Sequence, residues 1–385
     1  YSPNALYLIG WIRFQQKRYA EAIDNFNFMI KAYPQSNLVP RAYYAIADCY
    51  YNMGNFEEAI KGYQYIIQTF PSNELASEAM RSVQFALMAM GREDEAIKIA
   101  DKYIESNPES PYIQEFKYKR AEMFYTGRRF NDAVSEFENF INKYPDNEKN
   151  AEAMFLMGKS YISMNEFKKA SETFEKLAKQ YPKSDYAPLG LLEYGLLQKQ
   201  INNPLKADTI FSLLETSYNT HETAAQAGFE RALIRLLLLD TLGAVNKLKS
   251  VADNFPHTEY GDFSRYRVAM YYRTKLMFDS ALVHFRILSK EEGNPSFASE
   301  AQYRLGEIYM RMNDCEKAID EFIIVKENFT GYEDWFSLSL LNLGECYERL
   351  NRLELAREMY QILENLRPDD DFGKTAKSRL RRIKQ

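Results

Sequence analysis

Cysteine, tryptophan and histidine are scarce, at three, two and three residues in a chain of 385. Cys49, Cys315 and Cys346 are too few, and odd in number, for a disulfide framework. His221, His257 and His284 are scattered, and none belongs to an HExxH motif or a His/Cys cluster with metal-ligand spacing. No metal and no cofactor is expected. The chain has no GxSxG elbow, no GxGxxG after a strand and no phosphate loop, so the common signatures of hydrolases, dinucleotide enzymes and nucleotide triphosphatases are missing. No stretch approaches the roughly 18 consecutive apolar residues of a membrane span; the longest run lies around Leu236 to Leu239. A net charge of −5 offers no basic stripe for nucleic acid. These absences point away from an enzyme and toward a protein whose partners are proteins or peptides.

What the chain has is a period. Alanine recurs every 37 residues at Ala22, Ala59, Ala96, Ala133, Ala170, Ala207, Ala244, Ala281 and Ala318, then at Ala356 after one extra residue. Twelve residues before it stands a small residue (Gly10, Ala47, Ala121, Gly158, Gly195, Ala232, Ala269, Gly306, Gly344), with Gln84 the exception. Four residues after it comes a large one (Phe26, Tyr63, Phe137, Phe174, Phe211, Leu248, Phe285, Phe322, Tyr360), with Ala100 the exception. Small residues at fixed phase let two helices approach closely, because side-chain bulk sets the interaxial distance. Twelve residues after the alanine a proline ends the second helix in seven units: Pro34, Pro71, Pro108, Pro145, Pro182, Pro256 and Pro368; Asn219, Gly293 and Thr330 replace it elsewhere. Two residues beyond the proline stand Ser36, Asn73, Ser110, Asn147, Ser184, His221 or Thr258, mostly N-cap types, and Pro3, Pro40 and Pro188 open the following helices. A period of this size means stacked units, none of which buries its apolar face alone.

The elements Gly158-x-x-Tyr161, Ala170-x-x-x-Phe174 and Pro182 resemble the tetratricopeptide repeat pattern, and the same frame fits residues 3 to 372. The period departs from that family's, 37 residues in place of about 34, with the additional residues after the proline. The resemblance implies an all-α, right-handed superhelical solenoid of about 21 helices. Ten units are placed at 3–39, 40–76, 77–113, 114–150, 151–187, 188–224, 225–261, 262–298, 299–336 and 337–372, followed by a C-terminal capping helix at 373–385. That last helix carries Lys374, Lys377, Arg379, Arg381, Arg382 and Lys384 after Asp369, Asp370 and Asp371, a charge order suited to the helix dipole. It reads as a solvated cap or as a docking site for an acidic partner.

The resemblance also places a groove along the first helix of each pair. Its position 5 is aromatic in Tyr7, Tyr44, Tyr118, Phe155, Phe229, Tyr266 and Tyr303, a column that serves either packing or binding. The Lys/Asn clamp by which some family members hold a terminal carboxylate is absent. Repeats 6 to 8 have an apolar groove: Leu189, Leu192 and Leu196, then Phe229, Leu233 and Leu236, then Phe263, Tyr266 and Met270. Repeat 7 also runs Leu236-Leu237-Leu238-Leu239 into the hairpin turn that repeat 2 makes with Asn52-Met53-Gly54-Asn55. Such a patch marks a partner site, here for an amphipathic helix or apolar segment, unless tighter packing or a self-dimer buries it. Trp11, Phe14, Tyr44, Tyr51, Phe85 and Met88 form a second candidate groove.

Cys49 and Cys346 occupy equivalent slots that other repeats fill with small hydrophobes, and Cys315 sits one hairpin before Cys346, so a Cys315–Cys346 pair is open. Tyr1 in place of methionine, with a repeat beginning at Pro3, implies a piece of a longer protein or the processed form of one. The Tyr-Pro-x-Ser turns (Tyr33 to Ser36, Tyr181 to Ser184) resemble those of bacterial cell-envelope repeat proteins, including outer-membrane lipoproteins. Asp208-Thr209-Ile210, Asp240-Thr241-Leu242 and Asp279-Ser280-Ala281 resemble a periplasmic O-glycosylation signal. The expectation is a scaffold in an envelope assembly, secretion or motility complex, periplasmic or outer-membrane-associated in a Gram-negative bacterium. The alternatives are a cytoplasmic location and a recognition or regulatory arm of a larger enzyme or sensor.

Overall fold

The structure, a computed structural model, describes residues 2–291 and 294–383. Tyr1, Gly293 and Lys384 lie outside the described residues. Two compact units, Tyr1–Leu197 and Gln198–Gln385, make up the chain. The first holds α1 (Pro3–Gln15), α2 (Tyr19–Ala32), α3 (Val39–Asn52), α4 (Phe56–Thr69), α5 (Glu74–Ala89), α6 (Glu93–Ser106), α7 (Ile113–Thr126), α8 (Phe130–Lys143), α9 (Asn150–Ser163), α10 (Phe167–Gln180) and most of α11 (Tyr186–Gln200). The second holds α12 (Pro204–Ser217), α13 (Glu222–Leu237), α14 (Thr241–Asn254), α15 (Glu259–Thr274), α16 (Phe278–Leu288), α17 (Pro295–Arg311), α18 (Cys315–Asn328), α19 (Glu333–Arg349), α20 (Leu353–Leu366) and α21 (Asp371–Ile383). Within each unit, helices successive in sequence are neighbours in space. The described residues thus form an all-α array of stacked helix hairpins.

The repeated alanines and the large residues four positions on are all buried, from Ala22 and Phe26 to Ala356 and Tyr360. The small residue of the first helix is where that large side chain goes. A Cβ built on Gly10, Gly158, Gly306 or Gly344 would lie 2.4–2.6 Å from the ring of Phe26, Phe174, Phe322 or Tyr360 respectively. Repeat 3, with Gln84 and Ala100 both buried, reverses the sizes: the bulk comes from the first helix and the room from the second.

One backbone requirement recurs in every hairpin. The residue five before the alanine has a positive φ: Lys17, Gly54, Gly91, Arg128, Asn165, Asn202, Leu239, Leu276, Asn313 and Asn351. Glycine and asparagine tolerate this conformation, and six of the ten are one or the other.

The slot two residues past the proline plays two roles. Asn73, His221 and Thr258 are true N-caps, accepting from the N–H groups of Leu75, Thr223 and Gly261, and α5, α13 and α15 start directly after them. Ser36, Ser110 and Asn147 instead accept from Leu38, Tyr112 and Lys149 inside the turn, so α3, α7 and α9 begin three residues past the slot. They are turn residues, a correction to the N-cap reading.

Asp370 caps α21 by accepting from the N–H groups of Phe372 and Gly373 at 2.9 and 3.1 Å. Leu380 is buried and Ile383 packs on the same core, while Arg379 stands 3.7 Å from Glu345 and 3.6 Å from Glu348 on α19. These contacts pack α21 against α19 and α20.

Candidate partner groove

Of the nine apolar residues singled out in repeats 6 to 8, three belong to the first unit and six to the second. Leu189, Leu192 and Leu196 lie on α11 in the first unit, where Leu192 is buried and the other two are half-buried. Phe229 on α13 is also buried, its ring 5.5 Å from Tyr260 and 6.2 Å from Phe263, with Leu233 against the same cluster. Packing therefore removes Leu192 and Phe229 from the surface on which a partner could dock.

Leu236, Phe263, Tyr266 and Met270 do come together. With Val245 and Phe297 they line a largely apolar hollow of about 510 Å³, formed by α13, α14, α15 and the first turn of α17. Phe297 closes one side: its ring is 5.2 Å from Phe263, edge-on, and 5.5 Å from Tyr266. The repeat frame missed Phe297 because it starts repeat 9 at residue 299. The legible signal was local: Asn294 caps the helix by accepting from the Phe297 N–H at 3.3 Å, and Pro295 occupies the first turn.

Beside the hollow runs a charged network that the sequence reading also missed. The Tyr266 hydroxyl donates to Glu300 Oε1 at 2.8 Å, and burial together with this carboxylate pushes the phenol up to about 12. Arg304 bridges Glu300 at 3.0 Å and Glu307 at 2.8 Å, and Arg273 of α15 also pairs with Glu307. Burial opposes the Glu307 charge, but the two guanidinium groups outweigh it and hold the carboxyl below its ordinary range. The Arg304 guanidinium also lies over the rings of Trp335 and Tyr303, 5.1 and 5.5 Å from their centroids. The spacing of Glu300, Arg304 and Glu307 on one helix face was the available signal; the cross-repeat partner Arg273 had none.

The position 5 column is mainly packing. Tyr7, Tyr44, Tyr118, Phe155, Tyr266 and Tyr303 each contact the large residue of their own second helix, at 5.4 Å for Tyr7 with Phe26 and 6.3 Å for Tyr266 with Phe285. In the N-terminal candidate none of the six residues is fully buried, and Phe14, Tyr44 and Tyr51 also make contacts within the first unit. Phe14 and Tyr51 meet Tyr19 and Phe56 edge-on, Tyr44 joins its hydroxyl to Ser82 Oγ at 2.9 Å, and Met88 is half-buried. Trp11, stacked on Phe14 at 5.2 Å, and Phe85 keep exposed surface.

Beneath Tyr44 lies Asp48, which accepts from the Tyr63 hydroxyl at 2.6 Å. Burial pushes its carboxyl up to about 6, against the hydrogen bond from Tyr63 and with Glu78 adding to it. The unfolded value is near 3.9. A raised carboxyl means that the folded state holds the proton more tightly, so Asp48 favours folding most below about pH 4, and this contribution is lost as pH rises through about 6. Asp48→Asn, which keeps an oxygen for Tyr63, is expected to stabilise the protein by about 2–3 kcal/mol at pH 7 and by almost nothing at pH 4. Urea midpoints at both pH values check this; an equal gain at both would assign the effect to something other than ionisation.

Among the described residues no group of three or more His, Cys, Asp or Glu side chains is placed to hold a metal ion. The three cysteines are buried and free; burial, and then the neighbouring Cys315, pushes the Cys346 thiol up. No helix among the described residues is long and apolar enough to cross a membrane.

Comparison with known families places tetratricopeptide repeat models on residues 13–82 and on residues 300–330 and 338–370. A third model, the YfiO family of outer membrane lipoproteins, matches residues 72–189. No curated protein matches the chain. Among solved structures, it is similar to the C-terminal part of a TPR repeat-containing protein from Cytophaga hutchinsonii, at 18% identity and a TM-score of 0.46 over 67% of this chain and 98% of that one. A tetratricopeptide repeat protein from Parabacteroides merdae matches at 14% identity and a TM-score of 0.38, over 78% and 98% of the two chains. PilF of Pseudomonas aeruginosa matches at 16% identity and a TM-score of 0.37, over 58% and 94%.

Proposed function

Because the chain is a tetratricopeptide repeat protein, we propose that it is a non-catalytic scaffold that holds a partner segment in the hollow of its second unit. The observation that carries this reading is the convergence of Leu236, Phe263, Tyr266, Met270 and Phe297 around about 510 Å³ of mostly apolar space. A hollow of this size takes a few apolar side chains and is too small for a whole helix, so an amphipathic helix would insert one edge. The neighbouring Glu300, Arg304 and Glu307 then face the polar flank of that helix and fix its direction through charge. The match of residues 72–189 to an outer membrane lipoprotein family supports an assembly in the bacterial envelope as the setting.

The test is photo-crosslinking in an extract of the source organism, with a benzophenone amino acid in place of Tyr271, which lines the hollow. A partner captured by this protein and lost from a Leu236→Glu, Met270→Glu variant, with folding of the variant verified by circular dichroism, is the expected result. Identical capture by both proteins would remove the hollow as the site.

A further inference from the structure

Cys315 and Cys346 stand side by side in the core of the second unit, away from the hollow and its charged flank. Cys315 is the first residue of α18 and Cys346 lies in the last turn of α19. Both belong to one buried cluster, and the two thiols share a hydrogen bond. Cys49, the remaining cysteine, belongs to the first unit.

The repeat pattern makes Cys315 the departure of the pair. Cys346 fills a slot where Cys49, Ala86 and Ser160 are also small and buried. The slot of Cys315 opens the second helix of each hairpin, and Tyr19, Phe56, Phe130, Phe167 and Phe278 fill it with rings. A cysteine in place of a ring gives up most of that apolar contact, and packing alone supplies nothing to offset the loss. A sulfur within bonding reach of a second sulfur does supply something: a covalent link between the two helices.

We propose that Cys315 and Cys346 form a reversible dithiol–disulfide site which, when oxidised, staples the start of α18 to the end of α19. The oxidant is a low-molecular-weight disulfide. Cys315, 7% exposed at its helix start, is the sulfur that meets it, whereas Cys346 is fully enclosed and burial pushes its thiol up, which suits it to the second step. The Cys315 sulfur attacks one sulfur of the oxidant, whose S–S bond breaks and releases a first thiol. Cys346 then attacks the mixed disulfide at Cys315, the protein S–S bond forms and a second thiol leaves. Two electrons pass from the protein sulfurs to the oxidant, and the two cysteine protons end on the thiols released. Arg349, paired with Glu345 at 2.6 Å, also reaches the Cys315 sulfur and meets the negative charge that it carries while attacking. The finished bond closes a loop over α18 and most of α19, which restricts the unfolded chain far more than the folded one.

The experiment equilibrates the full chain with glutathione and glutathione disulfide at a series of ratios, quenches with acid, alkylates the free thiols and maps the peptides by mass spectrometry without reduction. The expected result is one cross-linked peptide pair joining Cys315 to Cys346, with Cys49 alkylated throughout, reversal by excess glutathione, and a thermal midpoint of the oxidised protein about 5 °C or more above that of the reduced protein. Cys315→Phe is the diagnostic variant, since phenylalanine serves this slot in four other hairpins; Cys346→Ala, which copies Ala86, is the second. Both are expected to show one midpoint at every ratio. Alkylation of both Cys315 and Cys346 at every ratio overturns the proposal, as does a cross-link through Cys49. So does glutathione retained on Cys315, which would show that Cys346 does not reach it, or a midpoint that still responds to oxidation in either variant.

Discussion

Phe174→Ala is expected to destabilise the first unit by about 3–5 kcal/mol, and adding Gly158→Gln to it is expected to recover at least about 1 kcal/mol. The ring of Phe174 is completely buried and stands where a side chain at position 158 would begin, 2.4 Å from the Cβ position. Truncating the ring leaves a cavity between α9 and α10, and enlarging the glycine alone overpacks the same space. The combination reproduces the arrangement of repeat 3, where Gln84 and Ala100 divide the volume the other way and both remain buried. Glycine-to-glutamine also raises helix propensity, but that gain appears in both arms of the cycle and cancels from the coupling term. Urea denaturation of the protein, the two single variants and the double variant measures the coupling directly. Additive effects would mean that the two positions do not share one space, and the size complementarity inferred across the repeats would fall with them.

That complementarity is why so much of the array is legible in the sequence. The Ala170 position is alanine in every unit and the Phe174 position is large in all but repeat 3, where Gln84 rather than Ala100 carries the bulk, because the two helices of a hairpin share one enclosed space. The positive-φ slot was half legible: Gly54, Asn165 and Asn313 announce it, whereas Lys17 and Leu239 conceal it. Helix starts were less so. Ser36 and Asn73 occupy one slot and both carry a side-chain acceptor, yet one closes a turn and the other begins a helix. The groove was hardest, because periodicity assigns a residue to a face and says nothing of depth. Leu192 and Met270 look alike in the pattern; the first is buried and the second lines a hollow. Phe297 and Arg273 act across a repeat boundary, on surfaces that exist only after the units have stacked.

Arg231→Met is expected to cost the second unit about 2–3 kcal/mol, out of proportion to a change that preserves most of the side chain's apolar length. Arg231 on α13 reaches Asp208 Oδ1 at 3.0 Å and Glu215 Oε2 at 2.6 Å, both on α12, while Lys247 of α14 holds the other oxygen of Glu215 at 2.5 Å. Burial works against the Arg231 charge, and the two carboxylates more than compensate, raising its pKa. Methionine in its place would leave Asp208 without this partner and Glu215 with Lys247 alone. Breaking such a cluster is costly because Glu215 stays largely desolvated and half-buried Asp208 loses its partner, whereas removing charge from both sides is milder. Asp208→Asn added to Arg231→Met should therefore return part of the loss, and thermal and urea unfolding of the three proteins would show it. Leu236, five residues beyond Arg231 on the same helix, lines the hollow, so crosslinking through Tyr271 should weaken in Arg231→Met and recover with the second change. If Arg231→Met unfolds at the midpoint of the unaltered protein, the cluster contributes no net stability, and the position of α13 must be set by its apolar contacts with Val251 and Leu248 instead.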